Sequence, residues 1–431
     1  MNSPRVLAAV RGMRRHSRAR RAELEEFRDK RFRRLVAHAY RNVPYYRALL
    51  RESGISPHDI DTVADIRHIP ITSRKTLQEL PAAMVVAEGV RPESLISKRT
   101  GGSSGAPLTI RVTRLEKRLR QWYRVREKRY FGTRPFDRIG RVGAPVDAGE
   151  PGVLRRLRRQ LRLYSVQTVS VYLQPEEILA GLRALRPDVI QGYPGAIARA
   201  CASMSESDRR KIHPRFVLTG AEVLTPLARR QISDGMGARV FDRYGCQETG
   251  VIAWECRETG LYHISDDSVV VEVLLRDGRP AAPGERGEVV VTSLHAYAMP
   301  FIRYRLGDVV TRGEDTCPCG QPFSTLSAIQ GRMVDYFPLP DGRLLHPYLL
   351  NRQCFKWTPW IRAFQLRQER EDLVRACLVP AYGPSDEDLD QLRECMAAVL
   401  GPGVVVRIEL SDEIPLDFNG KFRPYRSLVS P

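Results

Sequence analysis

The run at residues 99–107, Arg-Thr-Gly-Gly-Ser-Ser-Gly-Ala-Pro, contains residue types that favour anion binding. Glycine lets the backbone approach a ligand closely, and the N–H groups and hydroxyls of such a loop can surround phosphate oxygens. The Gly-Lys-Ser/Thr ending of a P-loop and a Gly-x-Gly-x-x-Gly fingerprint are absent from it, which excludes two common nucleotide loops. A flexible turn is the alternative. If the run binds a nucleotide, the binding residues are Thr100, Gly101, Gly102, Ser103, Ser104 and Gly105.

Eight cysteines occur in the chain, and some of them cluster with a histidine. Cys317-Pro-Cys319-Gly320 puts two thiols in a tight turn, with Cys256 and His263 upstream. Three sulfurs and one imidazole form the closed tetrahedral set that is typical of structural Zn²⁺. We therefore predict a zinc site at these four residues, the alternative being unpaired cysteines and a histidine in turns. In a cytoplasmic protein we expect every cysteine to stay reduced.

These candidate residues have to be positioned by an α/β fold, because strand-like and helix-like segments alternate between residues 142 and 245. Ligands in such folds bind at the carboxyl ends of parallel strands, where Glu222 and Tyr244 are expected. The predicted strands cover residues 142–146, 188–191, 216–219 and 239–245.

Beyond about residue 262 the pattern changes to strands separated by Gly- and Pro-rich turns, which predicts an antiparallel β subdomain. A boundary follows near residue 335. The remainder predicts a small α+β domain with a helix at about 385–400. The sequence therefore predicts a large domain at residues 1–335, with layered sheets and the β subdomain, and a small C-terminal domain at 336–431.

The formal net charge of the 431-residue chain is +19, with 42% hydrophobic and 28% charged residues. Arginines concentrate at residues 5–41 and 154–162. No nucleic-acid-binding motif accompanies them, so attraction to an acidic partner or an anionic membrane surface and ordinary solvated faces stay as alternatives. No run approaches the roughly 18 apolar residues of a transmembrane segment. The only apolar run near the N-terminus is Leu7–Val10, so we expect no signal peptide and a cytoplasmic protein.

Six motifs in a fixed order resemble the adenylate-forming superfamily of acyl-CoA synthetases. Residues 38–46 and 301–305 are similar to its phenylacetate–CoA ligase branch, which includes CapK-type proteins of polysaccharide clusters. The resemblance spans nearly the whole chain. The six motifs are residues 100–107, 220–222, 244–248, 304–308, 331–335 and 415–421.

The resemblance implies a two-step reaction. A carboxylate attacks the α-phosphate of ATP, which releases pyrophosphate and leaves an acyl-adenylate. A thiol or another nucleophile then displaces AMP. Phosphoryl-group chemistry of this kind depends mainly on positioning and charge stabilisation, so the implied cofactors are ATP/AMP and Mg²⁺, with CoA as one candidate acceptor.

The resemblance also implies roles for individual residues. Glu248 matches the Mg²⁺ carboxylate, since Mg²⁺ takes oxygen ligands. Tyr244 would stack on adenine, with Gly245 beside it in the nucleotide-binding set. Asp308 would accept hydrogen bonds from the ribose, and Arg332 would reach the ribose and phosphate. Plainer roles are a helix-start carboxylate for Glu248 and a turn cap for Asp308. The nucleotide-binding set is completed by Gly220, Ala221 and Glu222.

By the same resemblance, the small domain is a mobile lid. Thr100 and Lys421 join Glu248 as catalytic residues, with the Lys421 ammonium offsetting negative charge during adenylation, and Asp335 is the hinge. A hairpin lysine is the plainer interpretation of Lys421.

The acyl acceptor stays open at this stage, because residues 336–347 lack the glycine-rich stretch that CoA-using members often carry after the hinge. The alternatives to CoA are an amine, a sugar or a carrier protein, whose acidic surface would suit residues 154–162. A binding protein that keeps the fold without turnover is the alternative from another class. A small carboxylic acid is the expected substrate, and no nucleic-acid partner is expected.

Overall fold

The computed structural model describes residues 11–13, 15–99, 108–144, 166–332, 337–345, 347–355, 358–415 and 422–429. Within these ranges no helix has the length and apolar character that crossing a bilayer requires. The helices are α1 (Arg21–Asn42), α2 (Pro44–Glu52), α3 (Arg74–Glu79), α4 (Ala82–Val85), α5 (Arg114–Tyr130), α6 (Pro175–Leu185), α7 (Pro194–Ala202), α8 (Glu206–Lys211), α9 (Pro226–Met236), α10 (Tyr348–Gln353) and α11 (Asp386–Leu400).

The strands fall into three larger sheets and two strand pairs. They are β1 (Ile96–Arg99), β2 (Thr109–Val112), β3 (Ile139–Gly143), β4 (Val166–Ser170), β5 (Val189–Gly192), β6 (Phe216–Thr219), β7 (Arg239–Phe241), β8 (Arg243–Cys246), β9 (Gly250–Glu255), β10 (Tyr262–Ile264), β11 (Val269–Leu274), β12 (Arg286–Ser293), β13 (Tyr304–Arg312), β14 (Thr325–Arg332), β15 (Phe337–Pro338), β16 (Leu344–Leu345), β17 (Ile361–Arg370), β18 (Leu373–Pro380), β19 (Val405–Leu410) and β20 (Tyr425–Ser427).

The chain divides into two compact units, each made of two separate stretches. Unit 1 comprises residues 1–132 and 243–329, and unit 2 comprises residues 133–242 and 330–431. The predicted boundary at residues 335/336 separates a fixed domain from a mobile lid. A division into compact units does not report motion, so this boundary stays a prediction.

Unit 1 is built on a seven-stranded sheet with the order β11-β12-β13-β14-β10-β9-β8. The pairs that join β8 to β9, β9 to β10 and β11 to β12 are antiparallel, as predicted for the β subdomain. The α1 and α2 helices pack their apolar face on this part of the chain, where Phe32 and Leu50 share a buried cluster with Val270 and Ile302. The long-range packing of unit 1 therefore involves its first and last segments.

Unit 2 contains a five-stranded parallel sheet with the order β4-β3-β5-β6-β7. All four residues of β6 are buried, which is typical of a parallel strand covered on both faces. A buried apolar cluster joins α6, α7 and α9 to this sheet. The predicted α/β class with a parallel sheet is confirmed.

The C-terminal part of unit 2 is the predicted α+β element. Its four strands have the order β19-β18-β17-β20, and α11 packs on them through Leu392, Met396 and Leu400. The helix begins where Ser385 caps it, because the Ser385 hydroxyl accepts a hydrogen bond from the Asp388 backbone N–H at 3.2 Å, as capping boxes do.

Two details differ from the sequence predictions. Residues 239–245 do not form one strand, because Asp242 separates β7 from β8 and these two strands belong to different sheets. The Asp242 carboxylate accepts a hydrogen bond from the Thr219 hydroxyl at 2.7 Å. Tyr244 consequently lies in the antiparallel sheet rather than at a parallel strand's carboxyl end.

The expectation that every cysteine stays reduced is also wrong. The structure joins Cys354 to Cys395 in a disulfide, with Cα atoms 5.9 Å apart. The two residues are 41 positions apart, just after α10 and within α11. Nothing in that spacing indicated a pair, because the contact depends on how the two helices pack.

Candidate active site

Tyr244 and Asp308, the predicted adenine and ribose contacts, lie together in unit 1. The Tyr244 hydroxyl donates a hydrogen bond to Asp308 Oδ2 at 2.7 Å. The residues lie on β8 and β13, which are non-adjacent strands of the seven-stranded sheet. Gly245 follows in β8, where a Cβ would overlap the backbone carbonyl oxygen of Gly250. The absence of a side chain there allows β8 and β9 to approach closely.

Glu248 is buried on the short connection between β8 and β9. The Tyr304 hydroxyl donates to its Oε1 at 3.3 Å, and Arg74 Nη1 lies 3.9 Å from the same oxygen. Burial raises the pKa of Tyr304, and the nearby Glu248 carboxylate raises it further, so the phenol stays protonated and serves as a donor. Among the described residues both contacts use Oε1, which leaves Oε2 as the oxygen able to face a cation.

Arg120 of α5 fixes the backbone on which Glu248 stands. Its guanidinium donates to the Gln247 carbonyl at 2.7 Å and to the Glu248 carbonyl at 2.6 Å. The α5 helix is itself held at its start, because Thr113 and Glu116 form a reciprocal capping box. Glu116 also accepts a hydrogen bond from the Tyr297 backbone N–H at 2.6 Å. Sequence reasoning missed Arg120, since nothing in a basic helix distinguishes one arginine from the others.

Gly220, Ala221 and Glu222 follow β6 in unit 2, where Ala221 has a positive φ of 72°. Few residues other than glycine adopt this conformation. The Glu222 carboxylate accepts two backbone hydrogen bonds, from Gly195 at 3.0 Å and from Phe422 at 2.7 Å. Glu222 therefore holds the C-terminal segment next to the predicted catalytic lysine.

The four predicted zinc ligands converge in unit 1. Their ligand atoms all lie within 4.8 Å of one another. The Cys256 and Cys317 sulfurs are 3.8 Å apart, which matches the edge of about 3.8 Å that a tetrahedron with Zn–S bonds of about 2.3 Å would have. Cys319 Sγ lies 3.3 Å from His263 Nε2. The chemistry and spacing of this set fit a tetrahedral ion.

Local structure explains the convergence. His263 on β10 pairs across the sheet with Trp254 on β9, and Cys256 follows the end of β9. The turn that carries Cys317 and Cys319 closes with a hydrogen bond from the Gly320 N–H to the Cys317 carbonyl at 3.0 Å. Gly320 has a positive φ of 80°, a conformation that suits glycine.

Protonation at this cluster is also consistent with a cation site. Burial lowers the pKa of His263 to about 4, so the ring is neutral, as a metal ligand must be. Burial acts to raise the pKa of Cys256, but hydrogen bonds from Thr259 and Glu258 outweigh it and the pKa falls to about 7. Burial and the neighbouring thiols raise the pKa of Cys319 to about 12. A cation would offset the charge that three close thiolates would otherwise accumulate.

Comparison with known proteins finds relatives that are named as CoA ligases. No family model matches the chain. The phenylacetate–coenzyme A ligase of Thermus thermophilus is 28% identical over 326 residues, covering 73% of this chain and 72% of that protein. The Escherichia coli enzyme of the same name is 27% identical over 430 residues, covering 91% and 92%. The chain is therefore similar to phenylacetate–CoA ligases over most of its length. Protein CapK of Staphylococcus aureus is 22% identical over 297 residues, covering 67% of this chain and 63% of CapK.

A solved structure shows that the fold is shared. The crystal structure of 2-hydroxyisobutyryl-CoA ligase in the postadenylation state superposes with a TM-score of 0.79 at 20% identity, covering 96% of this chain and 91% of that one. The chain therefore shares the fold of that ligase.

Several residues to which the sequence assigns a functional role lie outside the part of the chain that the structure describes. Arg332 is the last residue of β14. The residues outside the described ranges are Thr100, Gly101, Gly102, Ser103, Ser104, Gly105, Asp335 and Lys421, together with the basic segment 154–162.

Proposed function

We propose that the chain is an ATP-dependent, AMP-forming ligase that converts a small carboxylic acid to an acyl-adenylate and then to a CoA thioester. In the first step a carboxylate oxygen bonds to the α-phosphorus of ATP and pyrophosphate leaves. In the second step the CoA sulfur bonds to the acyl carbon and AMP leaves. The observation that carries the proposal is the Tyr244–Asp308 hydrogen bond of 2.7 Å, which unites two motifs in a chain whose curated relatives are named phenylacetate–CoA ligases.

Within this proposal, Asp308 accepts hydrogen bonds from the ribose hydroxyls and Tyr244 orients it while contacting adenine. An ionised acceptor makes hydrogen bonds about twice as strong as neutral ones. The Gly/Ser run with Thr100 contacts the phosphates, and Arg332 reaches the ribose–phosphate region. These roles follow the resemblance and are open to direct test.

Glu248 is proposed as the Mg²⁺ ligand. Its buried position and its free Oε2 support this role, since Mg²⁺ binds through one or two carboxylates together with substrate phosphates. Bound Mg²⁺ would neutralise charge on the phosphates during adenylation. Because Arg120 donates hydrogen bonds to the Gln247 and Glu248 carbonyl oxygens, the Glu248 backbone would need little rearrangement when Mg²⁺ binds.

Lys421 is proposed to stabilise the charge that develops in adenylation, with residues 336–431 acting as a lid about Asp335. Support comes from Glu222, which bonds the backbone of the residue after Lys421. We propose a structural role for the zinc, because four protein ligands leave no open position for substrate.

CoA is the preferred acceptor in this proposal, because the curated relatives are named CoA ligases, whereas nothing among the described residues favours a carrier protein. The proposed location is the cytoplasm, where ATP and CoA are both supplied.

The decisive experiment measures pyrophosphate and AMP release from ATP with a panel of carboxylic acids that includes phenylacetate and short aliphatic acids, with and without CoA. We expect one acid class to release pyrophosphate, and a thioester to form only when CoA is added. Release of ADP and phosphate instead, or no pyrophosphate with any acid from zinc-loaded folded protein, would contradict the proposal.

A further inference from the structure

A cavity of about 660 Å³ lies beside the C-terminal half of α1 in unit 1. Its walls come from the α1 residues between Arg33 and Asn42 and from the 3-10 turn that begins at Pro57. The volume is within the range of about 300–1,000 Å³ that is typical of small-molecule sites. None of its lining residues belongs to the nucleotide or zinc sites described above.

The lining is strongly basic. Arg33, Arg34 and Arg41 contribute to it, and no aspartate or glutamate does. These three arginines are exposed. Within the described part of the chain, none of the three guanidinium groups has an ion pair or hydrogen bond. The cavity therefore concentrates positive charge that the described protein does not neutralise.

Three carboxylates of unit 1 are already engaged with other groups. Asp59 accepts a hydrogen bond from the Ser56 backbone N–H at 2.7 Å, and Asp29 accepts one from the Val63 N–H at 2.9 Å. Glu88 pairs with Arg47 at 2.6 Å. These acids serve as helix caps or ion-pair partners, so they do not supply the lining arginines with a counter-charge.

The neutral polar groups of the wall are fixed. His38 Nε2 lies 2.9 Å from the Tyr297 carbonyl oxygen, and its Nδ1 lies 3.1 Å from the side-chain amide of Asn42. The carbonyl partner suits donation from Nε2. Arg47 donates to the Tyr40 and Arg41 carbonyl oxygens at 3.2 Å and 2.5 Å, which offsets the negative end of the helix. A ligand would therefore meet a preformed wall.

We propose that this cavity binds the phosphate group of a soluble organic phosphate, at a site separate from the ATP site. Guanidinium groups match phosphate oxygens with two parallel hydrogen bonds, and Arg33, Arg34 and Arg41 all line this one cavity. A concave volume of this size suits a small molecule better than a flat membrane surface. The proposal does not depend on which acid the enzyme activates.

The test uses inorganic pyrophosphate as the probe, titrated calorimetrically into the full-length protein at constant ionic strength. The variant is Arg33→Ala combined with Arg34→Ala. The matched control combines Arg91→Ala with Arg276→Ala, which removes the same charge from exposed positions of unit 1. We expect one class of sites to weaken by about tenfold or more in the variant, as for lost hydrogen bonds to a charged group, with the control unchanged.

Equal binding by the wild type and the Arg33/Arg34 variant would place all pyrophosphate at the ATP site and overturn the proposal. Equal weakening in the variant and the control would mean attraction by bulk charge and would overturn it as well. Thermal unfolding of each protein checks that it folds. If the alanine variant is unstable, Arg33→Gln with Arg34→Gln replaces it in the same titration.

Discussion

Glu222 Oε1 accepts a hydrogen bond from the backbone N–H of Phe422 at 2.7 Å, across 200 residues of sequence. Glu222 Oε2 accepts a second one from Gly195 at 3.0 Å. Because both donors are backbone groups, the carboxylate fixes chain positions rather than side chains. Phe422, which follows the proposed catalytic Lys421 in the sequence, is thereby tied to the loop after β6 within unit 2.

Gly195→Ala is expected to loosen this tie. A Cβ at position 195 would lie 2.5 Å from the Cβ of Phe422, so the C-terminal segment has to shift. The change would otherwise favour α7, since alanine is better than glycine in a helix by about 0.5–1 kcal/mol. We predict slower pyrophosphate release with little change in thermal stability. Gly383→Ala is the control, because a Cβ there meets nothing within 4 Å. Normal pyrophosphate release by Gly195→Ala would show that the contact is not needed.

Lys421→Ala should separate the two half-reactions. The lost ammonium would no longer offset charge in adenylation, so pyrophosphate release should fall sharply, whereas pre-formed acyl-adenylate plus CoA should still react. Lys211→Ala, at an exposed position of unit 2, is the control. Near-normal pyrophosphate release by Lys421→Ala would contradict the lid-lysine assignment.

Arg120→Ala should weaken Mg²⁺-dependent adenylation by releasing the backbone of Glu248. Two hydrogen bonds from a charged donor are lost, each worth about 1.5–3 kcal/mol at most. We expect a higher Mg²⁺ concentration at half-maximal pyrophosphate release and partial recovery in Arg120→Lys. Arg118→Ala, on an exposed face of α5, tests whether loss of charge alone has the effect. An unchanged Mg²⁺ dependence in Arg120→Ala would exclude a positioning role.

Cys317→Ser should lower bound zinc from about one ion per chain to a small fraction and should reduce thermal stability, because binding of a structural metal contributes directly to folding. Elemental analysis and thermal unfolding measure the two effects. Cys377→Ser removes a thiol outside the cluster and should leave both unchanged. Wild-type protein with well under one zinc after purification without chelators would disprove the assignment.

Asp308→Ala should weaken AMP binding by roughly ten- to a hundredfold, as expected when a charged hydrogen-bond acceptor worth about 1.5–3 kcal/mol is removed. Tyr244→Phe keeps the ring and loses only the donor to Asp308, so its loss should be smaller. Asp315→Ala, at an exposed position, is the control. Equal AMP affinity in Asp308→Ala and the wild type, measured by calorimetry, would argue against ribose recognition by this carboxylate.

The sequence allowed the zinc set to be predicted because a Cys-x-Cys pair in a turn has few other uses, and the structure brings it together with Cys256 and His263. It also allowed the parallel sheet to be predicted, because short strand-like segments such as those of β5 and β6 alternate with helix-like segments along the chain. Contacts that depend on packing between distant elements could not be predicted. Neither the hydrogen bond from Arg120 to the Glu248 carbonyl oxygen nor the Cys354–Cys395 disulfide is indicated by the sequence around these residues.

The interleaving of the two units has a consequence for synthesis on the ribosome. The Tyr46 hydroxyl donates to the Pro300 carbonyl oxygen, its partner 254 residues later. At about 5–20 residues per second, that partner is translated roughly 13–50 s after Tyr46. Until the strands from residue 243 onward are made, the apolar face of α1 and α2 lacks the sheet that covers it in the folded protein. The nascent chain therefore exposes part of this face while residues 133–242, which form the parallel sheet of unit 2, are being translated.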